Sequence, residues 1–175
     1  MIQRLDEIEK WHQTEDPWRY ENCKDDLLRK DILLSELPPQ KYYRVLDIGC
    51  GQGFVTRDLP GDRIIGVDIS LEAIKHAKQY ENDKISFLTA SIFELNQLLS
   101  EIFDLIIITG VLYQHYLGNS LRLIYLVIDQ LLSRNGILAS VHINTWYQAR
   151  FPYPLISEYY YDYRSYIHRL EIYEK

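Results

Sequence analysis

The sequence predicts an α/β fold in which helices cover both faces of a twisted, mostly parallel sheet. Three observations carry that expectation. Five short apolar runs recur through the middle of the chain, helical patterns separate them, and the first run leads into a glycine-rich loop, Asp47-Ile48-Gly49-Cys50-Gly51-Gln52-Gly53. Runs that are apolar at consecutive positions suit strands buried on both faces, the situation of a strand in a parallel sheet. Strands alternating with helices imply βαβ units and a doubly wound sheet.

The first third reads as helical, because Leu27, Leu28, Ile32, Leu33 and Leu37 recur at helical spacing with charges between them. Pro38-Pro39 ends that helix, since proline lacks the N–H and disfavours helical geometry in the residue before it. The period then changes. Arg44–Ile48 reads as the first strand, Arg63–Asp68 as the second, Lys84–Leu88 as the third, Phe103–Ile108 as the fourth and Gly136–Val141 as the fifth. Between them, residues 70–80 carry Ala73, Ile74 and Ala77, and residues 119–132 carry Leu121, Ile124, Ile128, Leu131 and Leu132 at helical spacing. The tail differs: residues 156–174 are rich in tyrosine and β-branched side chains, which favour strands. Two short strands turning near Arg164-Ser165 are expected, antiparallel at least in part because no long crossover joins them.

The chain of 175 residues is long enough for one domain with a sizeable core and short for two. It divides into an N-terminal helical cap (1–40), a ligand-binding core (42–145) and C-terminal strands (146–175). The hydrophobic share of 47% is that of an ordinary globular protein. Nineteen basic against 25 acidic residues leave a net charge of −6, so nucleic acid is not the expected partner. Cys23 and Cys50 are far apart, with Cys50 inside the glycine loop. They form neither a disulfide framework nor a zinc motif, and two reduced thiols in a cytoplasmic protein are expected. Asp6, Glu7, Glu9 and Lys10 interrupt any apolar stretch near the start, so no signal peptide is expected. No run of 18 apolar residues predicts a membrane span. Oligomeric state has no signature in the sequence.

The loop identifies a ligand class. Glycines let the backbone turn tightly and approach a ligand closely, and ligands of open α/β sheets sit beyond the carboxyl ends of the strands. The loop is expected to open a helix. A dinucleotide fingerprint would place its third glycine where this chain has Phe54. Here the spacing is G-x-G-x-G, and Asp47 lies at the end of the strand. A carboxylate there repels a pyrophosphate and suits a cationic amine without phosphate, such as the methionine end of S-adenosylmethionine (SAM). Asp68, ending the second strand, can accept both hydroxyls of a ribose. A glycine turn that merely packs a helix on a strand accounts for the glycines alone. Asp47, three glycines and Asp68 together point to a ligand.

These residues resemble the class I SAM-dependent methyltransferases. VLDIGCGQG looks like the family's first motif and IIGVDIS its second, FDLIIITGVLY resembles the fourth-strand motif, and LLSRNGILAS resembles the segment leading into the fifth strand. The resemblance covers roughly residues 42–145. It implies a Rossmann-like, mostly parallel sheet of seven strands, the last antiparallel, with SAM lying across the strand ends and S-adenosylhomocysteine (SAH) as product. By matching position, Asp47, Gly49, Cys50, Gly51, Gly53 and Thr109 line the cofactor, Asp68 holds its ribose, and Ile69 packs on its adenine. Ser91 and Ile92 follow the third strand, and Ser91 stands where many relatives place an acid against the adenine amino group. A closer resemblance is to the nodulation-type (NodS-like) methyltransferases, which N-methylate an amino sugar of a chitin-type oligosaccharide. Its signs are Asp16-Pro17-Trp18, Val111-Leu112-Tyr113, His142, Tyr153-Pro154-Leu155 and His168-Arg169-Leu170-Glu171. By that match Trp18 covers the cofactor and Arg29 pairs with its carboxylate. The segment after Tyr153-Pro154-Leu155 is short here, so a shortened C-terminal part is expected, without a helix that shapes the acceptor pocket in relatives.

Methyl transfer from a sulfonium asks the protein mainly to align the acceptor and to receive its proton when the acceptor is a hydroxyl. Tyr113 and His115 follow the fourth strand and His142 lies in the fifth, which makes these three the catalytic candidates. Tyr113 is the leading one, as a wall or hydrogen-bond donor of the acceptor site. His142 reads equally as a base or as a satisfied core residue. His12 and His76 look like solvated helix residues, and His168 could face either way. Trp11, Trp18 and Tyr20 flank an expected lid that excludes water, while the tail tyrosines read as core cover with wet tips rather than sugar platforms. The histidines lack metal spacing, and no metal is expected. The expected function is methylation of an amine or hydroxyl on a small acceptor, a saccharide or amino sugar among the candidates. A non-catalytic SAM-binding partner or regulatory protein, and an RNA or protein methyltransferase, stay open beside it.

Overall fold

In the computed structural model, which describes residues 4–175, each apolar run is a strand. Two helices come first, α1 (Leu5–His12) and α2 (Lys24–Glu36). Then follow β1 (Arg44–Ile48), β2 (Arg63–Asp68), α3 (Leu71–Ala77), β3 (Ile85–Thr89), α4 (Leu95–Leu98) and β4 (Phe103–Thr109). The chain ends with α5 (Gln114–Leu117), α6 (Leu121–Leu131), β5 (Leu132–Ile143), β6 (Leu155–Tyr163) and β7 (Tyr166–Glu174). One seven-stranded sheet runs in the order β3-β2-β1-β4-β5-β7-β6. Strands β1 to β5 pair in parallel, β7 runs antiparallel to β5, and β6 antiparallel to β7. The turn of that last hairpin is Arg164-Ser165, with Arg164 at φ 53°.

The period-2 alternation of each strand feeds two layers of core. Leu46, Ile48, Ile106, Ile108 and Leu138 face α6, which contributes Ile124, Val127, Ile128 and Leu131. Val45, Ile64, Leu105, Ile107 and Ala139 face the other way, where Leu33 of α2 and Ile74 and Ala77 of α3 cover them. Burial on both faces is why these strands are apolar without interruption. The strand order reverses between β1 and β4, and at such a switch point the loops part and leave a crevice at the strand ends.

Two local expectations are corrected. The glycine loop does not open an α-helix: it turns through Phe54 and Val55 into a short 3-10 helix, Thr56–Asp58. Gly49, Gly51 and Gly53 all have positive φ, which no right-handed helix accepts, and Pro60 follows before a full helix can form. In α2, Leu27 and Leu28 are exposed, and the buried face carries Asp26, Arg29 and Leu33 instead. Residues 144–154, between β5 and β6, contain no helix. No helix among the described residues is long and apolar enough to cross a membrane.

Candidate active site

A cavity of about 630 Å³ opens at the carboxyl ends of β1, β2 and β4. The glycine loop forms its floor. A Cβ on Gly49 would stand 2.1 Å from Val111 Cγ2, so a side chain there would push apart the loops after β1 and β4. The Gly49 and Cys50 amides donate to the Val67 carbonyl (2.8 and 3.0 Å), tying the loop to β2. The Gly51 amide donates to Asp68 Oδ2 and the Ser70 amide to Asp68 Oδ1, both at 2.9 Å. Asp68 is thereby fixed in orientation, and each oxygen keeps a lone pair for a hydroxyl donor. Burial raises its proton affinity, with the two amides acting against that rise.

At the end of β1, Asp47 is fully buried. Thr56 Oγ1 donates to its Oδ2 at 2.6 Å, while Oδ1 has no partner among the described residues. Burial pushes its carboxyl up to about 6, against the pull of the Thr56 hydrogen bond. Arg29 presents a matching deficit. Its Nη2 meets Asp26 Oδ1 at 3.2 Å, its guanidinium lies 5.1 Å from the Tyr20 ring centre, and its buried Nε has no partner among the described residues. An unpaired buried polar atom costs about 1–3 kcal/mol, more when charged. An acid and a base in one cavity, each with an unsatisfied atom, fit a ligand bearing both an ammonium and a carboxylate. The amino-acid end of SAM is such a group, and the residues present fit it.

The remaining expected residues divide. Trp18, Cys50, Gly51, Ile69, Ser91, Ile92, Thr109 and Tyr113 line the cavity with Arg29, Asp47, Gly49 and Asp68. Ile69 is exposed and Ile92 buried. Ser91 Oγ already accepts from the Phe93 amide at 3.3 Å, and burial keeps the Cys50 thiol protonated. Gly53, expected at the ligand, does not line the cavity: its φ of 87° and a Cβ position 2.9 Å from Phe87 Cζ both call for glycine there.

Among the catalytic candidates, Tyr113 forms the wall and is 6% exposed. Its hydroxyl accepts from the Ile143 amide at 2.9 Å, which ties the loop after β4 to the end of β5. Burial raises it to about 12, so it stays a neutral phenol. Trp146 meets it edge-on at 5.3 Å and Tyr166 meets Trp146 at 5.2 Å, extending an aromatic wall toward the mouth. His115 stacks behind Tyr113 at 5.4 Å and does not line the cavity. The structure places His142 off the cavity that Tyr113 lines. It is 2% exposed; Nε2 accepts from the Leu112 amide at 3.2 Å, which leaves the ring proton on Nδ1 for Ser140 Oγ at 3.0 Å. Both nitrogens are occupied, and burial drives its proton affinity well down. His168 faces inward, lines the cavity and stacks on Tyr163 at 3.9 Å, held neutral by burial, which lowers it to about 3. His12, expected in solvent, is buried at the cavity, and half-buried His76 donates to its carbonyl.

The aromatic segment of Trp11, Trp18 and Tyr20, which lines the cavity, is held from a place no local pattern predicts. Trp18 stacks on Tyr20 at 5.6 Å and meets Trp11 edge-on at 6.1 Å. The guanidinium of Arg164, in the β6–β7 turn, donates to the Trp18 carbonyl (2.8 Å) and to buried Asp26 (2.7 Å), which also accepts from the Tyr163 hydroxyl (2.7 Å). Asp26 and Arg164 are 138 positions apart in sequence. In the sequence, only the break in the strand-favouring pattern at Arg164-Ser165 pointed to that hairpin tip.

The fold and the loop have counterparts in known proteins. Residues 39–166 match the methyltransferase-domain family. The tRNA U34 carboxymethyltransferase of Psychromonas ingrahamii is 35% identical over 92 residues, 47% of this chain and 27% of that protein; the match thus spans little more than a quarter of that relative's length. Among solved structures, the N-methyltransferase NodS from Bradyrhizobium japonicum WM9 in complex with SAH superposes with a TM-score of 0.83 at 22% identity, over 98% of this chain and 97% of that one. Magnesium protoporphyrin IX methyltransferase (ChlM) from Synechocystis PCC 6803 with bound SAM gives 0.73 at 16% identity, over 100% and 98%. At such identities the structural likeness speaks for the fold, which is the class I, NodS-like architecture. The family match spans the glycine loop, both aspartates and the aromatic wall, and on that ground the chain belongs to the methyltransferase-domain family.

Proposed function

We propose that the chain methylates an amine or hydroxyl of a small acceptor with SAM, a saccharide or amino sugar being the favoured acceptor class and the cytoplasm the compartment. One observation carries the reading: a single cavity joins Asp47 and Arg29, each with an unpartnered polar atom, to the aromatic wall of Tyr113 and Trp146. When bound, SAM supplies a methyl group on a sulfonium, a leaving group that needs no further activation. In this reading Asp47 and Arg29 hold its amino-acid end, Asp68 its ribose hydroxyls, and Ile69 and Ile92 flank its adenine, with Cys50, Ser91 and Thr109 completing the wall. Trp18 and Tyr20 cover the site and exclude water. Tyr113 orients the acceptor as a neutral hydrogen-bonding wall, and His115 backs it.

The same geometry favours an amine over a hydroxyl. A hydroxyl acceptor needs a base with proton affinity near neutrality. His12 and His168 are the histidines that line the cavity among the described residues, and burial lowers both; the two carboxyls that burial raises, Asp47 and Asp68, are taken by the cofactor in this reading. An amine can lose its proton to solvent before it enters.

The test is SAH production across de-N-acetylated chitooligosaccharides, amino sugars, neutral sugars, phenols and tRNA transcripts, with SAM binding measured by calorimetry. Turnover on an amino sugar is the expected result. Binding without turnover on any acceptor would favour a non-catalytic SAM-binding role. Turnover on tRNA would favour the RNA reading, which the 92-residue likeness to a tRNA enzyme keeps in the panel. Absence of SAM binding would overturn the proposal.

A further inference from the structure

His12 lines the cavity without a side-chain hydrogen-bond partner among the described residues. It closes α1, is 4% exposed, and its buried Nδ1 makes no hydrogen bond. Unpaired buried polar groups are rare in folded proteins and call for a reason. The helix is held in place by other bonds. Glu9, three residues earlier and on the same helical face, accepts from Ser70 Oγ (2.7 Å) and from the Leu71 and Glu72 amides (2.8 and 3.1 Å). The His12 carbonyl accepts from His76 Nε2 at 3.1 Å, and its ring meets Trp18 at 5.0 Å. Helix α1 is thereby docked on the segment that follows β2, directly beyond Asp68.

We propose that His12 is a second hydroxyl-reading group for the ribose of the bound nucleoside, acting opposite Asp68; this rests on the SAM reading above. A carboxylate only accepts, and a ribose hydroxyl that donates to Asp68 keeps lone pairs of its own. A neutral imidazole N–H donates into one of them. Burial holds His12 neutral, against the pull of Asp68 and Glu9 toward the charged form and with the push of His76 away from it. Asp68 belongs to the sheet and His12 to the lid. A hydroxyl shared between them bridges the two, so that the lid discriminates a ribonucleoside from a deoxyribonucleoside.

The experiment measures binding of SAH and of its 2′-deoxy and 3′-deoxy analogues to wild type, His12→Phe and His12→Asn. Phenylalanine keeps the ring against Trp18 and removes the N–H; asparagine keeps an N–H donor close to the Nδ1 position. The expected result is a loss of about tenfold for His12→Phe on SAH, the size of one hydrogen bond. That loss disappears on at least one deoxy analogue and is partly restored in His12→Asn. Equal losses on all three ligands would make His12 a packing residue of the lid and overturn the proposal, as would no loss on SAH. Wild-type protein that binds neither SAH nor SAM would instead overturn the cofactor reading itself, and this proposal with it.

Discussion

Replacing Asp47 by asparagine separates the cost of a buried carboxylate from its use. The carboxyl is fully buried, has one partner in Thr56, and is pushed from 3.8 to about 6. A shift of about 2 pH units corresponds to roughly 3 kcal/mol. The sign follows from linkage. The folded state holds this proton more tightly than the unfolded chain, so the associated stability is fully present below the unfolded value near 4. It is lost as pH rises through about 6. Between pH 4 and pH 8 the carboxylate therefore costs the ligand-free protein about 2–3 kcal/mol that asparagine does not. Asparagine keeps the acceptor for Thr56 but places an unpaired amide where Oδ1 was, at about 1–2 kcal/mol. Urea unfolding across that range should show Asp47→Asn less stable than wild type at pH 4 and as stable or more so at pH 8. Binding should move the opposite way: loss of a buried partner for an ammonium costs about 2–4 kcal/mol, a 30- to 1000-fold weaker affinity for SAH. Parallel pH profiles of stability for the two proteins, or equal affinity for SAH, would refute the assignment of Asp47 as the buried anion that receives the ligand's amine.

The remaining predictions concern the same cavity and its supports. Because ligand ammonium pairs with ionised Asp47, SAH affinity should rise with pH up to about 6 and then level; calorimetry in buffers of different ionisation heat should detect proton release below that value, and a flat profile would count against the pair. Arg164→Ala removes the bonds to Trp18 and Asp26. The side chain is partly solvent-exposed, so the stability loss should be small, about 1 kcal/mol, while cleavage after Trp18 or Tyr20 by chymotrypsin should accelerate and SAH affinity fall; unchanged cleavage would remove the lid clamp from consideration. His142→Phe leaves the Leu112 amide unpaired and should lower stability by about 1–3 kcal/mol with turnover per folded molecule retained, whereas a base would lose turnover. Chelators should leave activity unchanged, and a loss restored by a divalent ion would contradict that.

The order of strands and helices, the glycine loop and both aspartates were legible in the amino-acid sequence. Each depends on local physics: apolar runs need burial on both faces, positive φ needs glycine, and an acid at a strand end leaves a charge that only a ligand or a bond can satisfy. The hairpin of the tail was legible for the same reason, as β-branched and aromatic residues interrupted at Arg164-Ser165. The roles of the histidines were not. His12 sits in an amphipathic helix and looked solvated; it is buried because Glu9 anchors that helix to the Ser70 turn, 61 positions away. His142 lies in an apolar strand, and only the backbone of Leu112 arriving at its ring fixes its tautomer and engages its Nε2. Gly53 reads like its neighbours in the motif and shares their positive φ, yet it lies off the cavity, against Phe87 from β3. The clamp of Asp26 by Arg164 joins the first helical segment to the last turn. Local sequence determines backbone conformation and which faces are apolar. Which polar groups meet, and which are left unpaired at a cavity, is decided only when segments far apart in the chain are packed together, because hydrogen bonds and burial depend on distances in space.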